Sequence, residues 1–340
     1  MTSGDGPAYV PATTRGVRGG DANTDQSGGI REMYLNQFAS DLAPLDMTAT
    51  DEFASLCQSA DDLKIAYQLP VKYQSRNVVV NGLRIHYLEW GDESMPPVVM
   101  CHGGHQSGHS WDMVNLVLGK KFHVYALDQR GHGDSEHPRD AVMGTQAMSN
   151  DLVAFIRMLG IEKPILFGHS MGGMVTMYTL VQHPDVASKA VIVDIGPEIE
   201  AAGSATIRAF VRNNVEFDSV DQFIENVHKY DPFRSVEHIK RSMKYNLLER
   251  ADGKYISKVL VQPDNPRTGA RPSIDDVKKI AVPVLITRGG NSNILSPEAA
   301  MRFHAALPDG RLVTVPNCGH NVHSQNTQGF LDAVLPFVGF

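Results

Sequence analysis

Residues 168–172 read Gly-His-Ser-Met-Gly, inside the stretch "PILFGHSMGG". The apolar run before them has the length of a buried strand, and a helical pattern opens after them. A serine held at so sharp a strand-to-helix turn needs small neighbours, because larger side chains would collide there. The turn exposes Ser170 Oγ as a nucleophile. It also sets the Met171 N–H at a helix N-terminus, where it can stabilise an oxyanion. A serine hydroxyl is a weak nucleophile at neutral pH and needs a base. His320, in "VPNCGHNVH" just past the last strand-like run, is the candidate, with His323 its nearest rival.

A second stretch, "CHGGHQSGHSW" (101–111), follows another short apolar run. Its paired glycines let backbone approach a ligand closely, so the N–H of Gly104, or of His105, can be the second oxyanion donor. His105 and Trp111 are candidates for contacting a substrate. His102, His105 and His109 are close in sequence, but no acid lies among them and no H-x-H-x-D-H or H-E-x-x-H pattern occurs, so we expect neither metal nor cofactor. Asp128 and Asp134, in "ALDQRGHGDS", both precede Ser170 and read as turn-forming residues.

These residues need a scaffold that brings them to one place. "RNVVVNGLRIHYLEWG" reads as a hairpin turning at Asn81-Gly82. After it come "PVVMC", "HVYALD", "PILFG", "AVIVDI", "PVLIT" and "LVTVP", separated for the most part by helical stretches. Continuous apolar strands alternating with helices predict a mostly parallel sheet covered on both faces. About ninety residues separate "AVIVDI" from "PVLIT", too many for a single crossover helix. We read 197–275 as an inserted helical cap, roofing the crevice at the strand ends where such sheets bind ligands. The body is then 76–196 and 276–340. Residues 1–29 read as a disordered tail. Residues 30–75 read as a helical extension, with Ile30, Tyr34, Phe38 and Leu42 at helical spacing. That extension is either packed on the body, a lid over the pocket, or an arm for a homodimer.

The net charge is −7, which offers no footprint for nucleic acid. No apolar run is long enough to span a bilayer, and the first residues lack the apolar stretch of a secretory signal. Three cysteines, Cys57, Cys101 and Cys318, are too few and too odd for a disulfide framework. We expect a cytoplasmic protein that acts on a small molecule.

Residues 76–338 resemble the α/β-hydrolase superfamily, in particular capped members with a serine nucleophile. The resemblance rests on "CHGGHQSGHSW", "DQRGHGDS", "GHSMGG" and "CGHNVH", in the family's order. It implies a doubly wound, eight-stranded α/β sheet, a cap after the sixth strand, and the chain order serine, acid, histidine. Haloalkane dehalogenases and most epoxide hydrolases of this fold are similar but place aspartate at the elbow, where this chain has Ser170. The family commonly puts its acid after the seventh strand. Here that loop is "RGGNSNILSPE" and offers Asn293. Some members carry the acid at the end of the sixth strand, where "VIVDIGPE" presents Asp194. Asp194 is therefore the expected acid. Asn293 remains as an amide that could orient the histidine by itself or meet the substrate, and Glu198 is a distant alternative.

The expected activity is hydrolysis of a carboxylic ester or lactone, with Phe210, Phe217, Phe223, Tyr230, Phe233 and Tyr245 in the cap suggesting an apolar or aromatic substrate. Two alternatives stay open. One is a C–C bond hydrolase of a vinylogous diketone, with Arg208, Arg212 or Arg234 as its cationic group. The other is a ligand receptor with little turnover.

Overall fold

The computed structural model of the protein describes residues 45–259 and 271–340. A two-residue strand, Leu45–Asp46 (β1), pairs antiparallel with Tyr73–Val80 (β2), which turns back as Leu83–Trp90 (β3). The turn is the one read at Asn81-Gly82. Both residues have positive φ, 51° and 76°, as a tight two-residue hairpin requires. Five further short strands follow: Pro97–Cys101 (β4), His123–Leu127 (β5), Ile165–His169 (β6) and Lys189–Val193 (β7), and, beyond a long excursion, Val284–Gly289. A last strand, Gly310–Val315, closes the edge.

The excursion itself holds three small strands, Glu216–Phe217 (β8), Leu247–Glu249 (β9) and Tyr255–Ser257 (β10), so the last two strands of the main sheet are β11 and β12. The main sheet runs β1-β2-β3-β5-β4-β6-β7-β11-β12. It is antiparallel as far as β5 and parallel from β5 onward. The eight strands expected are present, and β1 adds a short ninth at the edge.

Register decides where the chemistry can sit. Cys101 pairs with Gly168, His169 with Val193, and Val193 with Thr287. The C-terminal ends of β4, β6, β7 and β11 therefore finish in one row, and their loops emerge along one edge.

Apolar residues fill both faces, because strands buried on two sides have no polar alternation to keep. One layer joins Val98, Met100, Phe167 and Val191 to the helices Asp112–Leu118 and Thr327–Val338. The other joins Val99, Leu166 and Ile192 to the helices Thr145–Met158, Met171–Gln182 and Pro297–Ala306.

Two boundaries differ from the expected ones. β2 begins at Tyr73, so the extension gives way to the sheet before residue 76. Within the extension, the helix Asp51–Asp62 buries Phe53, Leu56 and Ala60 in the first layer, while Ile30, Tyr34, Phe38 and Leu42 lie outside the described residues, as does the tail 1–29. The helix Ile274–Val277 starts inside the stretch assigned to the cap, yet its Val277 packs in the body.

The stretch read as a mainly helical cap carries the helices Ala201–Asn213, Val220–Tyr230 and Val236–Met243, together with the antiparallel sheet β8-β10-β9. Phe217, Phe223, Ile224, Val227, Ile239 and Leu247 form its own small core. Among the described residues no helix is long and apolar enough to cross a membrane.

Candidate active site

The turn at the end of β6 has the strained geometry its sequence demands. Ser170 sits at φ 51°, ψ −113°, a conformation an L-residue holds only when its surroundings fix it. A Cβ on Gly172 would collide with the Cys101 carbonyl, and one on Gly168 would lie 2.5 Å from the Gly172 carbonyl oxygen and Thr176 Oγ1. The glycines let the elbow lie flat against β4.

His320, in the loop after β12, accepts the Ser170 hydroxyl at Nε2 (2.8 Å) and donates its Nδ1–H to Asp194 Oδ2 (2.8 Å). Asp194 stands at the end of β7 with φ 50° and is fully buried. Its Oδ1 accepts the Gly289 N–H (2.9 Å), and its Oδ2 also accepts the Ser292 hydroxyl (2.5 Å). Four N–H or O–H contacts would exhaust a carboxylate's lone pairs, and three are in place here. That satisfies a charge which burial would otherwise penalise.

Asn293 does not take the acid's place. It is exposed, and its carbonyl lies against the cap, where a Cβ on Gly203 would collide with it. Ser292, its neighbour, is the residue of that loop that reaches the site. Ser292 carries no motif of its own in the sequence, and only the position of Asp194 opposite it gives the hydroxyl a role. Glu198 is tied to Arg302 on the exposed surface (2.6 Å).

The backbone amides at this edge divide into free and committed ones. Among the described residues, neither the Met171 N–H nor the Gly104 N–H has a hydrogen-bond partner, and both residues are partly exposed. The neighbouring amides are committed. The Gly103 N–H goes to Gln106 Oε1 (3.0 Å) and the Gly172 N–H to the His102 carbonyl (3.1 Å). His105, at φ 62°, turns the loop, and its carbonyl accepts from Asn246 of the cap (3.3 Å). Of the eight non-glycine residues with positive φ among the described residues, three (His105, Ser170 and Asp194) belong to this site, which is where backbone strain is expected to collect.

Other histidines support the frame. His102 donates from Nδ1 to the Gly103 carbonyl (2.7 Å) and accepts the Gln129 N–H at Nε2 (3.0 Å). Burial holds it below the usual histidine range. His109 engages Tyr73 and Asp112 and stacks on Tyr245. The 102–109 histidines thus face different partners and do not converge. His323, the rival base, is fully buried and stacks on Trp111. Burial first, and then the positive field of Arg234, hold it well below its ordinary pKa. Trp111 is fully buried against Phe167 and His323, so it belongs to the core and is not a substrate contact.

Asp128 is structural, as expected. It accepts from His86 Nδ1 (2.7 Å), the Gly108 N–H (2.6 Å) and the Asp134 N–H (2.8 Å). His86, Asp128 and Asp134 are the one group of potential metal ligands that converges among the described residues. Their acceptor sites already face these donors, and Lys258 Nζ lies on Asp134 (2.6 Å). The donor set suits protons and an ammonium rather than a metal ion.

A serine on a glycine elbow, a histidine from the last loop and a carboxylate from a neighbouring strand end occupy one edge of a mostly parallel sheet. The model of the alpha/beta hydrolase fold family matches residues 96–327. The chain belongs to the α/β-hydrolase fold family. Similar members include the esterase Rv0045c of Mycobacterium tuberculosis, 27% identical over 85% of this chain and 96% of that protein. A solved structure of that esterase aligns with a TM-score of 0.70 over 86% of this chain and all of the other, at 26% identity. The mouse sn-1-specific diacylglycerol lipase ABHD11 is 30% identical over 73% of this chain and 82% of its own. A 2-(acetamidomethylene)succinate hydrolase of Mesorhizobium japonicum is 25% identical over 78% and 95%. In this chain the loop after β11 brings the Ser292 hydroxyl to Asp194, and the last residue of β11 brings the Gly289 N–H.

Proposed function

We propose that this α/β hydrolase cleaves a carboxylic ester or lactone of an apolar or aromatic small molecule through an acyl-enzyme. The observation that carries this is the unbroken chain Ser170 Oγ, His320, Asp194, with both hydrogen bonds at 2.8 Å. His320 Nε2 takes the serine proton as Oγ attacks the carbonyl, and the carboxylate of Asp194 stabilises the imidazolium that forms. The oxyanion collects the N–H groups of Met171 and Gly104. His320 returns the proton to the leaving oxygen, then activates water to release the acyl group. The esterase and lipase names of the relatives agree with this reading.

Substrate character is read from the cap. Phe217 and Phe223 pack in the cap's own core, and Phe210 stacks on Tyr230. Tyr245 stacks on His109 and bonds to Glu52. Phe233 is the aromatic left exposed, and it lies against Gly319 beside His320. It is the ring that an apolar acyl or alcohol group would meet.

The C–C bond reading needs a free cation for a substrate carboxylate. Arg208 and Arg212 are exposed on the cap helix, and Arg234 is committed to Asp231 (2.9 Å). The ester reading is therefore preferred. The free state of Cys57, Cys101 and Cys318 supports a cytoplasmic location. Steady-state turnover of short p-nitrophenyl esters, with Ser170→Ala as the blank, tests the assignment. Multiple turnovers lost in that variant support an ester hydrolase, whereas one slow turnover with retained ligand would identify a receptor.

A further inference from the structure

We infer that Asp231, in the cap, is a positioning residue that holds the His320 loop and the oxyanion loop in register; this rests on the ester-hydrolase reading above. Asp231 follows the cap helix Val220–Tyr230 and is 2% exposed. Its carboxylate accepts three side-chain N–H groups: Arg234 Nε (2.9 Å), Gln325 Nε2 (2.7 Å) and Asn321 Nδ2 (3.3 Å). Arg234 compensates the buried charge. The two amides carry the contact into the site.

Gln325 Oε1 accepts the Gly319 N–H (2.6 Å), so the residue before His320 is tied to Asp231. Asn321, the residue after His320, accepts Gln106 Nε2 at its Oδ1 (3.1 Å). Gln106 Oε1 in turn accepts the Gly103 N–H (3.0 Å), next to the oxyanion donor Gly104. The other ring of the site joins the same group: His169 has one nitrogen at Gln106 Oε1 (3.1 Å) and the other at the His320 carbonyl (3.0 Å).

Each amide in this path has one donating and one accepting end. A terminal group that only accepts orients every one of them the same way. The amino ends face Asp231, so the carbonyl ends must face Gly319 N–H and Gln106. An ionised carboxylate can serve three donors at once. An asparagine there offers one oxygen and turns an amino group toward a donor, which releases at least one branch of the path. Release of the Gln325 branch frees Gly319, before His320; release of the Asn321 branch frees the residue after His320 and, through Gln106, the neighbour of Gly104.

The test compares wild type, Asp231→Asn and Gln325→Met as full-length protein, with Lys240→Ala as a surface control in the same cap. Two readouts are taken well below the melting temperature: kcat and KM for p-nitrophenyl acetate, and the rate at which a fluorophosphonate labels Ser170. A displaced reacting geometry predicts a fall in kcat and in labelling rate of about 10- to 100-fold, with KM within about twofold of wild type. If Asp231 only fastens the cap, melting temperature falls while kcat and labelling hold, and the inference is overturned. Should Asp231→Asn fold poorly, Gln325→Met carries the same expectation, since it removes the branch to Gly319 alone. If wild type labels but turns over no ester, the ester reading fails and labelling still decides the inference. If wild-type Ser170 does not label, both fall.

Discussion

Ser292 donates its hydroxyl proton to Asp194 Oδ2 across 2.5 Å, at the same oxygen that receives the His320 N–H. With the Gly289 N–H on the other oxygen, these donors fix the plane of the carboxylate. The loop after β11 thus serves the acid from 98 residues away. Its hydroxyl also accepts the Ile294 N–H (3.1 Å), which braces the loop that delivers it.

Removing the anion while keeping its shape should be severe. Asp194→Asn is expected to lower turnover of a p-nitrophenyl ester by roughly 10³–10⁴-fold. Asn293→Ala should leave turnover near wild type, because Asn293 is exposed and His320 Nδ1 is already held by Asp194. A crippled Asn293→Ala with a mild Asp194→Asn would return the acid's role to the loop.

Ser292→Ala should cost about 10-fold in kcat, in keeping with one hydrogen bond to a charged acceptor. An unchanged kcat with a lower melting temperature would mean that Ser292 braces only the loop.

Gly172→Ala tests the elbow. The added methyl meets the Cys101 carbonyl, and neither the strand nor the helix can yield cheaply. Destabilisation of about 1–3 kcal/mol is expected from overpacking, read as a lower urea midpoint at unchanged slope. Turnover should fall too, because Gly172 lies one residue from the Met171 donor. A wild-type midpoint would show that β4 and the elbow are not in contact.

Acid should unfold this protein early. His102, His169, His238 and His323 are buried and lowered, mainly by desolvation, with His238 at about 3. Above the unfolded pKa of about 6.5 they are neutral in both states and contribute no pH dependence. As pH falls below it, the unfolded chain binds protons that the folded chain refuses. Each such histidine then removes about 1.4 kcal/mol of stability per pH unit until its folded pKa is reached. His86 has the opposite sign. Asp128 raises its pKa against desolvation, so its contribution is present below 6.5 and is lost as pH rises through the folded value. Below 6.5 His86 is increasingly protonated in both states and adds little pH dependence, so the four lowered groups leave a net loss as pH falls from 6.5 to 5. Urea midpoints measured across that window check it, and a flat profile would contradict the assignment.

Much of this was readable before any coordinates. Apolar strands of five residues between helices announce a sheet covered on two faces, and the glycines around Ser170 announce the elbow. His320 followed because a serine needs a base at the same sheet edge. Asp194 followed from the family resemblance, which allows an acid at the end of the sixth strand where the later loop offers only Asn293. Ser292 did not, since a hydroxyl and a carboxylate far apart in sequence leave no periodic trace. Trp111 misled for a related reason: an aromatic beside a glycine-rich loop looks the same in sequence whether it faces a pocket or the core. The cap's three strands of two or three residues are shorter than any alternating pattern.

Because Gln325 and Asn321 find their shared acceptor on Asp231, the cap is not a detachable module. A chimaera that imported another family member's 197–275 segment alone would strand two amides in a half-buried place and loosen the loop bearing the base. The exchangeable unit includes residues 319–325, and Gln106 with them. Recombination that respects that seam can retune what the pocket admits, and recombination that ignores it yields a new roof over an idle serine.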